Sequence, residues 1–150
     1  MKKASKKLHI LRFLEKSGLV NRDLLDVYNS LIRSVLEYAC PVWSCSLPKY
    51  LSDKIELVQK RAFRVIIPGC HYSNALEITG CSRLDERRLE LCKTTFKKIC
   101  DDTSSKLNHL VPKSRGEAHG RCLRNSASRT LPKSRTERYK NSFIPAMCYL

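Results

Sequence analysis

Residues 35–66 read VLEYACPVWSCSLPKYLSDKIELVQKRAFRVI, and two helical patterns meet within them. In the second pattern, apolar residues recur at spacings of four and three, namely Leu51, Ile55, Val58, Ala62 and Val65. Pro48 suits the first turn of this helix, and Pro68 suits its end. The first pattern should end near Ala39, because a proline disfavours helical geometry at the residue before it. This stretch therefore predicts two amphipathic helices joined at a corner that holds Trp43.

Similar spacing continues on both sides of this stretch. Upstream, one helix is predicted after Asn21 as its N-cap, with an apolar face made by Leu24, Tyr28, Leu31, Val35 and Tyr38 and widened by a second row, Leu25, Ile32 and Ala39. A shorter helix before it carries Leu8, Leu11 and Leu14 and can end at Gly18. Downstream, Ser73 and Ser82 are the predicted caps of two more helices, the first of which Gly80 closes. No segment alternates with period two, so we predict an all-α fold, an irregular bundle of about five helices over residues 1–112.

The composition changes after Pro112, where basic residues are separated by serine, glycine and proline. Such a segment buries little apolar surface, so residues 113–150 are predicted to form a basic and largely irregular arm that orders only on binding. Its last ten residues, NSFIPAMCYL, are apolar again and are expected to dock back onto the bundle.

The charge of the chain indicates its partner. Lysine and arginine number 29 against 14 acidic residues, a formal net charge of +15 over 150 residues. This excess favours a polyanion such as nucleic acid, although anionic membrane or simple solubility are alternatives. No apolar run approaches the length of a membrane span, and the N-terminus lacks the apolar core of a signal peptide. We therefore expect a cytoplasmic or nuclear protein whose eight cysteines are reduced, with no membrane partner.

The basic residues on the later helices and the arm are the candidate nucleic-acid contacts. Those near the end of the third predicted helix can project together from one surface, and the doublets that follow add to them. Such residues would contact backbone phosphates without reading sequence. The alternative is a solvated helix face whose cations favour a helix C-terminus. The candidates are Lys60, Arg61, Arg64, Arg87, Arg88, Lys97, Lys98, Arg121, Arg124, Arg135, Arg138 and Lys140.

Metal binding and catalysis are not favoured by the sequence. Cys40 and Cys45 are spaced like half of a zinc site, which Cys70, His71 or Cys81 would have to complete, but no second close pair follows. We interpret the cysteines as core or surface thiols, and Trp43 as a packing residue rather than a stacking surface for a base. No phosphate-binding glycine loop and no nucleophile elbow occurs, so we assign no catalytic residue, no cofactor and no small-molecule substrate.

Three stretches of the sequence, which together cover much of the chain, are LLDVYNSLIRSVLEYACPVWSCSLPKYLSDKIELVQKRAFRVIIPG, NALEITGCSRLDERRLELC and RTERYKNSFIP. They resemble the region C-terminal to the palm in reverse transcriptases of jockey-like non-LTR retrotransposons. The resemblance implies a thumb and post-thumb region, a helical and non-catalytic part that holds an RNA or DNA primer-template beside the palm domain. The palm motif Tyr/Phe-Ala-Asp-Asp does not occur here, so no polymerase residue is carried over.

The chain also departs from the pattern of that family. Many relatives have proline where this chain has Ser34, which predicts a straighter helix here, and related sequences continue beyond position 150. Our first hypothesis is a non-catalytic C-terminal fragment of an RNA-directed DNA polymerase that binds duplex or single-stranded nucleic acid. The alternatives are a helical protein-interaction module and a non-functional truncated remnant of a transposable element.

Overall fold

The computed structural model describes residues 2–116, 120, 124, 129 and 133–149. Its main helices are α1 (Lys2–Lys16), α2 (Asn21–Val27), α3 (Ser34–Glu37), α4 (Cys40–Trp43), α5 (Lys49–Ile66), α6 (Tyr72–Thr79) and α7 (Leu84–Asp101). A π-helical segment, Tyr28–Arg33, joins α2 to α3, and a 3₁₀ turn, Asn108–Leu110, follows α7. Two short helices, Glu137–Lys140 and Phe143–Cys148, come last. The described residues form no β-strand, and the all-α prediction is confirmed.

Both predicted glycine stops are confirmed. Gly18 and Gly80 have φ angles of 82° and 64°, in the left-handed region that glycine adopts without a steric cost. At the end of α6, the Gly80 amide donates to the Glu77 carbonyl at 3.2 Å, and the Cys81 amide donates to the Leu76 carbonyl at 3.0 Å. These two bonds satisfy carbonyls that the end of a helix otherwise leaves without a partner.

The predicted N-caps, in contrast, are wrong. Asn21 is the first residue of α2 rather than its cap, and His71 rather than Ser73 precedes α6. The α7 helix begins at Leu84, whose amide donates to the carboxylate of Glu56 on α5 at 3.1 Å. A side chain distant in sequence therefore satisfies the start of α7, and local sequence carries no sign of it.

The face that α2 and α3 bury agrees only in part with the two predicted rows. Its buried residues are spaced by four: Leu24, Tyr28, Ile32 and Leu36. A π turn holds more residues than an α turn, so a spacing of four stays in line through Tyr28–Arg33. Tyr38, predicted to lie on the apolar face, is exposed. The sequence predicted a straighter helix at Ser34. The structure has no single regular α-helix there, because the π-helical segment ends at the residue before Ser34.

The corner around Trp43 contains a short helix that was not predicted. The α3 helix ends at Glu37, and Ala39 turns the chain with a φ angle of 50°. Cys40 then begins α4, with Pro41 in the first turn, where its missing N–H costs little. Trp43 is half-buried, and its carbonyl accepts a hydrogen bond from the Ser46 hydroxyl.

The chain divides into two compact units. The first contains Met1–Cys40 and Leu47–Arg88, and the second contains Pro41–Ser46 and Leu89–Leu150. This division falls within α7. In the first unit, α1 packs against α5, α2 and the π-helical segment, and α5 also packs against α2 and α6. The largest fully buried apolar side chains of this unit include Leu11, Leu24, Tyr28, Ile32, Phe63, Ile66 and Leu84.

The second unit is built on the C-terminal part of α7. The ring of Phe143 meets the ring of Phe96 edge to face, with 6.3 Å between centroids, and Met147 is buried. The predicted docking of the apolar C-terminal end is thus confirmed against α7. The guanidinium of Arg129 lies 5.8 Å from the Phe96 centroid and donates to the Pro112 carbonyl at 2.8 Å. Of the helices in the described ranges, none is long and apolar enough to cross a membrane.

Candidate nucleic-acid interface

One face of α1 presents cations and an aromatic ring to solvent. His9, Arg12, Phe13 and Lys16 are spaced by three and four, so they line up on one side of the helix. All four are exposed, and Phe13 keeps 64% of its surface accessible. They take this position because Leu8 and Leu11, on the opposite side of α1, are buried in the first unit. The result is a basic strip that contains one large apolar side chain.

The C-terminal end of α5 presents a second basic surface next to the basic strip of α1. Phe63 and Ile66 are buried, which directs Arg61 and Arg64 toward solvent. The charge of Arg64 also suits its place in the last turn of α5, where helix carbonyls carry partial negative charge. Because α1 packs against α5, the two exposed faces meet along one line.

Two adjoining hollows lie along this line and define the α1–α5 groove. The larger has a volume of about 510 Å³ and is lined by His9, Arg12, Phe13, Glu15, Lys16, Arg64, Val65 and Pro68. The other has a volume of about 420 Å³ and is lined by Ser5, Leu8, Arg12, Arg61, Arg64 and Val65. Arg12, Arg64 and Val65 border both hollows, so the groove is continuous past the two arginines.

The groove carries an excess of positive charge that acids of the chain leave uncompensated. Within the described ranges, Arg12, Arg61 and Arg64 form no ion pair; the pairs found there involve Arg33, Arg83, Arg87 and Lys140. Glu15 is the one carboxylate among the lining residues, against Arg12, Lys16, Arg61 and Arg64. Cations held close together and open to water attract a polyanion and release its counterions when they bind.

A buried polar network holds α5 in place behind the groove. Glu56 is only 4% exposed; it accepts hydrogen bonds from the Tyr72 hydroxyl and from the Leu84 amide. One turn further along, Gln59 accepts from the Tyr28 hydroxyl at 3.0 Å and donates to the Ser82 carbonyl at 3.1 Å. Every one of these buried polar groups has a partner, which avoids the cost of an unmet hydrogen bond.

The two tyrosines of this network have altered acidity. Burial raises the pKa of Tyr28 above its ordinary value of 10.0. Burial, and then the hydrogen bond to Glu56, raise the pKa of Tyr72 in the same direction. Both phenols therefore stay protonated well above neutral pH, and both keep donating to their partners on α5.

Of the three basic residues predicted on α5, Arg61 and Arg64 line the groove and Lys60 does not. The Lys60 ammonium lies 5.2 Å from the ring centroid of Tyr72, on the side of α5 that faces α6. A cation held over an aromatic ring gains an attraction that competes with a phosphate. The predicted cluster is thus split between two sides of the helix.

Arg87 and Arg88, both predicted as phosphate contacts, have partners within the first unit. Arg88 is 2% exposed and donates to the Ser52 hydroxyl at 2.7 Å. Arg87 is half-buried and donates to the Glu37 carboxylate at 2.7 Å, and Glu37 also pairs with Arg33. Both arginines lie at the turn of α7 that packs inside the first unit, so their charge is used in the fold.

The remaining predicted residues lie in the second unit. Lys97, Lys98, Arg124, Arg135, Arg138 and Lys140 are exposed. Lys140 pairs weakly with Glu137 at 3.9 Å and lies 5.7 Å from the ring centroid of Tyr149. Arg121 lies outside the described residues. These cations do not line the α1–α5 groove, whose lining residues all belong to the first unit.

The cysteines that the structure describes do not form a metal-binding site. Among residues 2–116, 120, 124, 129 and 133–149, no group of three histidine, cysteine or acidic side chains is close enough to hold a metal ion. The thiols of Cys45 and Cys92, within the second unit, lie 4.0 Å apart. Burial raises the pKa of the Cys45 thiol, which keeps it protonated and less reactive near neutral pH.

Comparisons with protein-family models, curated proteins and solved structures give no match to this chain. The assignment of the groove as a candidate site therefore rests on its geometry and charge alone. Sequence reasoning identified Arg61 and Arg64 but missed His9, Arg12, Phe13 and Lys16. Their spacing on one helix face was a usable signal, since it places a phenylalanine among cations and away from the apolar stripe.

Proposed function

We propose that this chain binds nucleic acid through backbone phosphates at the α1–α5 groove, without reading base sequence. The observation that carries the proposal is the meeting of Arg12 with Arg61 and Arg64, which come from helices far apart in sequence and form no ion pair within the described chain. The formal net charge of +15 adds a long-range attraction that speeds the encounter with a polyanion.

We further propose that this binding belongs to the thumb and post-thumb part of a non-LTR retrotransposon reverse transcriptase. The proposal rests on the resemblance of residues 24–69, 74–92 and 135–145. Arg61 and Arg64 fall inside the resembling stretch, whereas Arg12 precedes it. In that setting the chain carries no catalytic residue, works beside a palm domain in the cytoplasm or nucleus, and grips the template or primer-template by its phosphates.

A salt titration of oligonucleotide binding tests the groove. The wild-type chain and the Arg12→Glu/Arg64→Glu variant are titrated into labelled single-stranded and duplex oligonucleotides at several salt concentrations, with fluorescence anisotropy as readout. The logarithm of the affinity should fall linearly with the logarithm of salt concentration, by about 0.7 to 0.9 per phosphate neutralised. Loss of two contacts should reduce that slope by about 1.4 to 1.8 and weaken binding at low salt.

The matched control is Arg22→Glu/Lys49→Glu, which changes the net charge equally at two exposed residues outside the groove. Both control sites lie in the first turn of a helix, where an acidic residue is tolerated well. The control should keep most of the wild-type slope. Equal weakening by the two variants would contradict the groove as the site, and wild-type affinity that ignores salt would contradict phosphate binding altogether.

The competing interpretation is a helical module that docks an acidic protein. It predicts that polyglutamate displaces the labelled oligonucleotide from the wild-type chain as well as unlabelled oligonucleotide of equal charge does. Under the nucleic-acid proposal, polyglutamate is the weaker competitor, because its carboxylates do not match the spacing and geometry of phosphates along a strand.

A further inference from the structure

We infer that the α1–α5 groove takes a single strand, with an unpaired base stacked on the ring of Phe13. This inference rests on the proposed phosphate-binding role of the same groove and adds the class of nucleic acid to it. Phe13 is the most exposed phenylalanine of the described chain, with 64% of its surface accessible. Phenylalanine is among the residue types that folded proteins most often bury.

The surroundings of Phe13 combine the two features that a single strand needs. Arg12, Lys16 and Arg64 border the same hollow and supply cations for phosphates, while Val65 and Pro68 give it an apolar lining. Proteins that bind single strands join a basic track to aromatic rings on which bases stack. A hollow of about 510 Å³ also lies in the size range of sites that accept small organic groups.

The ring of Phe13 is open for stacking, whereas several other aromatic rings of the described residues already contact a ring or a cation. Phe63 stacks edge to face with Tyr28 and Tyr72, and Phe96 does so with Phe143. The exposed ring of Tyr50 has the ammonium of Lys54 at 5.6 Å from its centroid. In the part of the chain that the structure describes, Phe13 makes neither a ring pair nor a cation–ring contact.

This arrangement distinguishes a single strand from a duplex. In a duplex each base is stacked on its neighbours and paired at its edge, so no base face is left for Phe13 along the helix. A single strand can turn one base out toward the ring while its phosphates follow Arg12 and Arg64. A duplex would use the cations and leave the ring without a partner, so its affinity should not depend on Phe13.

Three ligands of equal length separate the two contributions. They are a labelled oligothymidylate single strand, an abasic strand with the same phosphates and no bases, and a blunt duplex. The full chain is measured as wild type, Phe13→Ala, Phe13→Trp and Tyr50→Ala. Tyr50→Ala is the matched control, because Tyr50 is a similarly exposed aromatic residue of the same unit that does not line the groove. Far-UV circular dichroism verifies that the exposed substitutions leave the fold intact.

We expect Phe13→Ala to weaken oligothymidylate binding about tenfold, within the range of one base–aromatic stack. The same variant should bind the abasic strand and the duplex as the wild type does. Phe13→Trp should restore oligothymidylate binding, and Tyr50→Ala should leave all three affinities unchanged.

Two results would overturn the inference while leaving the proposed function in place. In one, Phe13→Ala changes none of the three affinities although Arg12→Glu/Arg64→Glu weakens them all. In the other, Phe13→Ala weakens the abasic strand as much as oligothymidylate, which would make the ring a packing element of the groove. A wild-type chain that binds none of the three ligands would instead overturn the proposed function itself.

Discussion

Replacing Glu56 by alanine should destabilise the first unit by more than any exposed substitution. The Glu56 carboxylate accepts hydrogen bonds from the Tyr72 hydroxyl and from the Leu84 amide at the start of α7. In Glu56→Ala both donors lose their acceptor. A hydrogen bond to a charged group contributes about 1.5 to 3 kcal/mol, so two of them together contribute about 3 to 6 kcal/mol. That is a large share of the stability of a typical domain, about 5 to 15 kcal/mol.

Glu56→Gln should cost much less, because the amide can serve both partners. Its oxygen can accept from the Leu84 amide while its NH₂ donates to the Tyr72 hydroxyl, which then turns from donor to acceptor. We expect a loss of about 1 to 2 kcal/mol, mainly from the missing charge. Combining Glu56→Gln with Tyr72→Phe should cost less than the two separate losses added, since Tyr72→Phe removes a bond to a charged carboxylate in the wild type but only a bond to a neutral amide in the Glu56→Gln variant.

Urea unfolding followed by far-UV circular dichroism at pH 7 and fixed salt measures these losses. Glu77→Ala is the matched control, since it removes a carboxylate from an exposed position of α6. It should stay within about 0.5 kcal/mol of the wild type. The role given to Glu56 is refuted if Glu56→Ala also stays within that limit, or if it destabilises no more than Glu56→Gln does.

Phe63→Ala should cost about 3 to 5 kcal/mol, because the ring is 2% exposed and contacts two other rings; a loss under about 1 kcal/mol in urea unfolding would contradict this. Because the pKa values of Tyr28 and Tyr72 are raised in the folded chain, the unfolded chain loses these two protons first, so the stability that they contribute should be constant below about pH 10 and fall above it. Tyr28→Phe should reduce the loss of stability above about pH 10, as measured by urea unfolding at several pH values. An unchanged loss would contradict the contribution assigned to Tyr28. Oxidised glutathione should join Cys45 to Cys92, whose sulfur atoms lie 4.0 Å apart, as two thiols are oxidised and the glutathione disulfide is reduced to two thiols. Intact mass should fall by two hydrogen atoms, faster as the pH rises because burial raises the pKa of Cys45; a stable glutathione adduct on Cys45 alone would refute the pairing.

The local features of the fold were readable from the sequence. The α5 face was predicted from apolar spacing, and its members Ile55, Val58 and Ala62 are buried. Gly18 and Gly80 end their helices as expected. These features depend on residues within one or two turns of each other, and backbone geometry imposes the same period wherever the chain is helical. The apolar C-terminal end was also recognisable, because its composition alone required a buried partner.

Features that depend on contacts between distant residues were not readable. The predicted cap at Ser82 failed because Glu56, on another helix, satisfies the start of α7. The buried face of α2 and α3 follows Leu24, Tyr28, Ile32 and Leu36 rather than the predicted main row, because the chain forms a π turn at Tyr28–Arg33, which helical periodicity does not reveal.

The properties of the candidate site likewise separate into those that the sequence determined and those that the tertiary structure decided. The sequence by itself determined that the chain is helical, strongly basic and open at Arg61 and Arg64. Only the tertiary structure decided which cations act together: packing of α1 on α5 brings Arg12 and Phe13 to these arginines, while Arg88 is buried. The physical reason is that the charge of a residue is a property of the residue, whereas its exposure and neighbours are set by how helices pack in three dimensions.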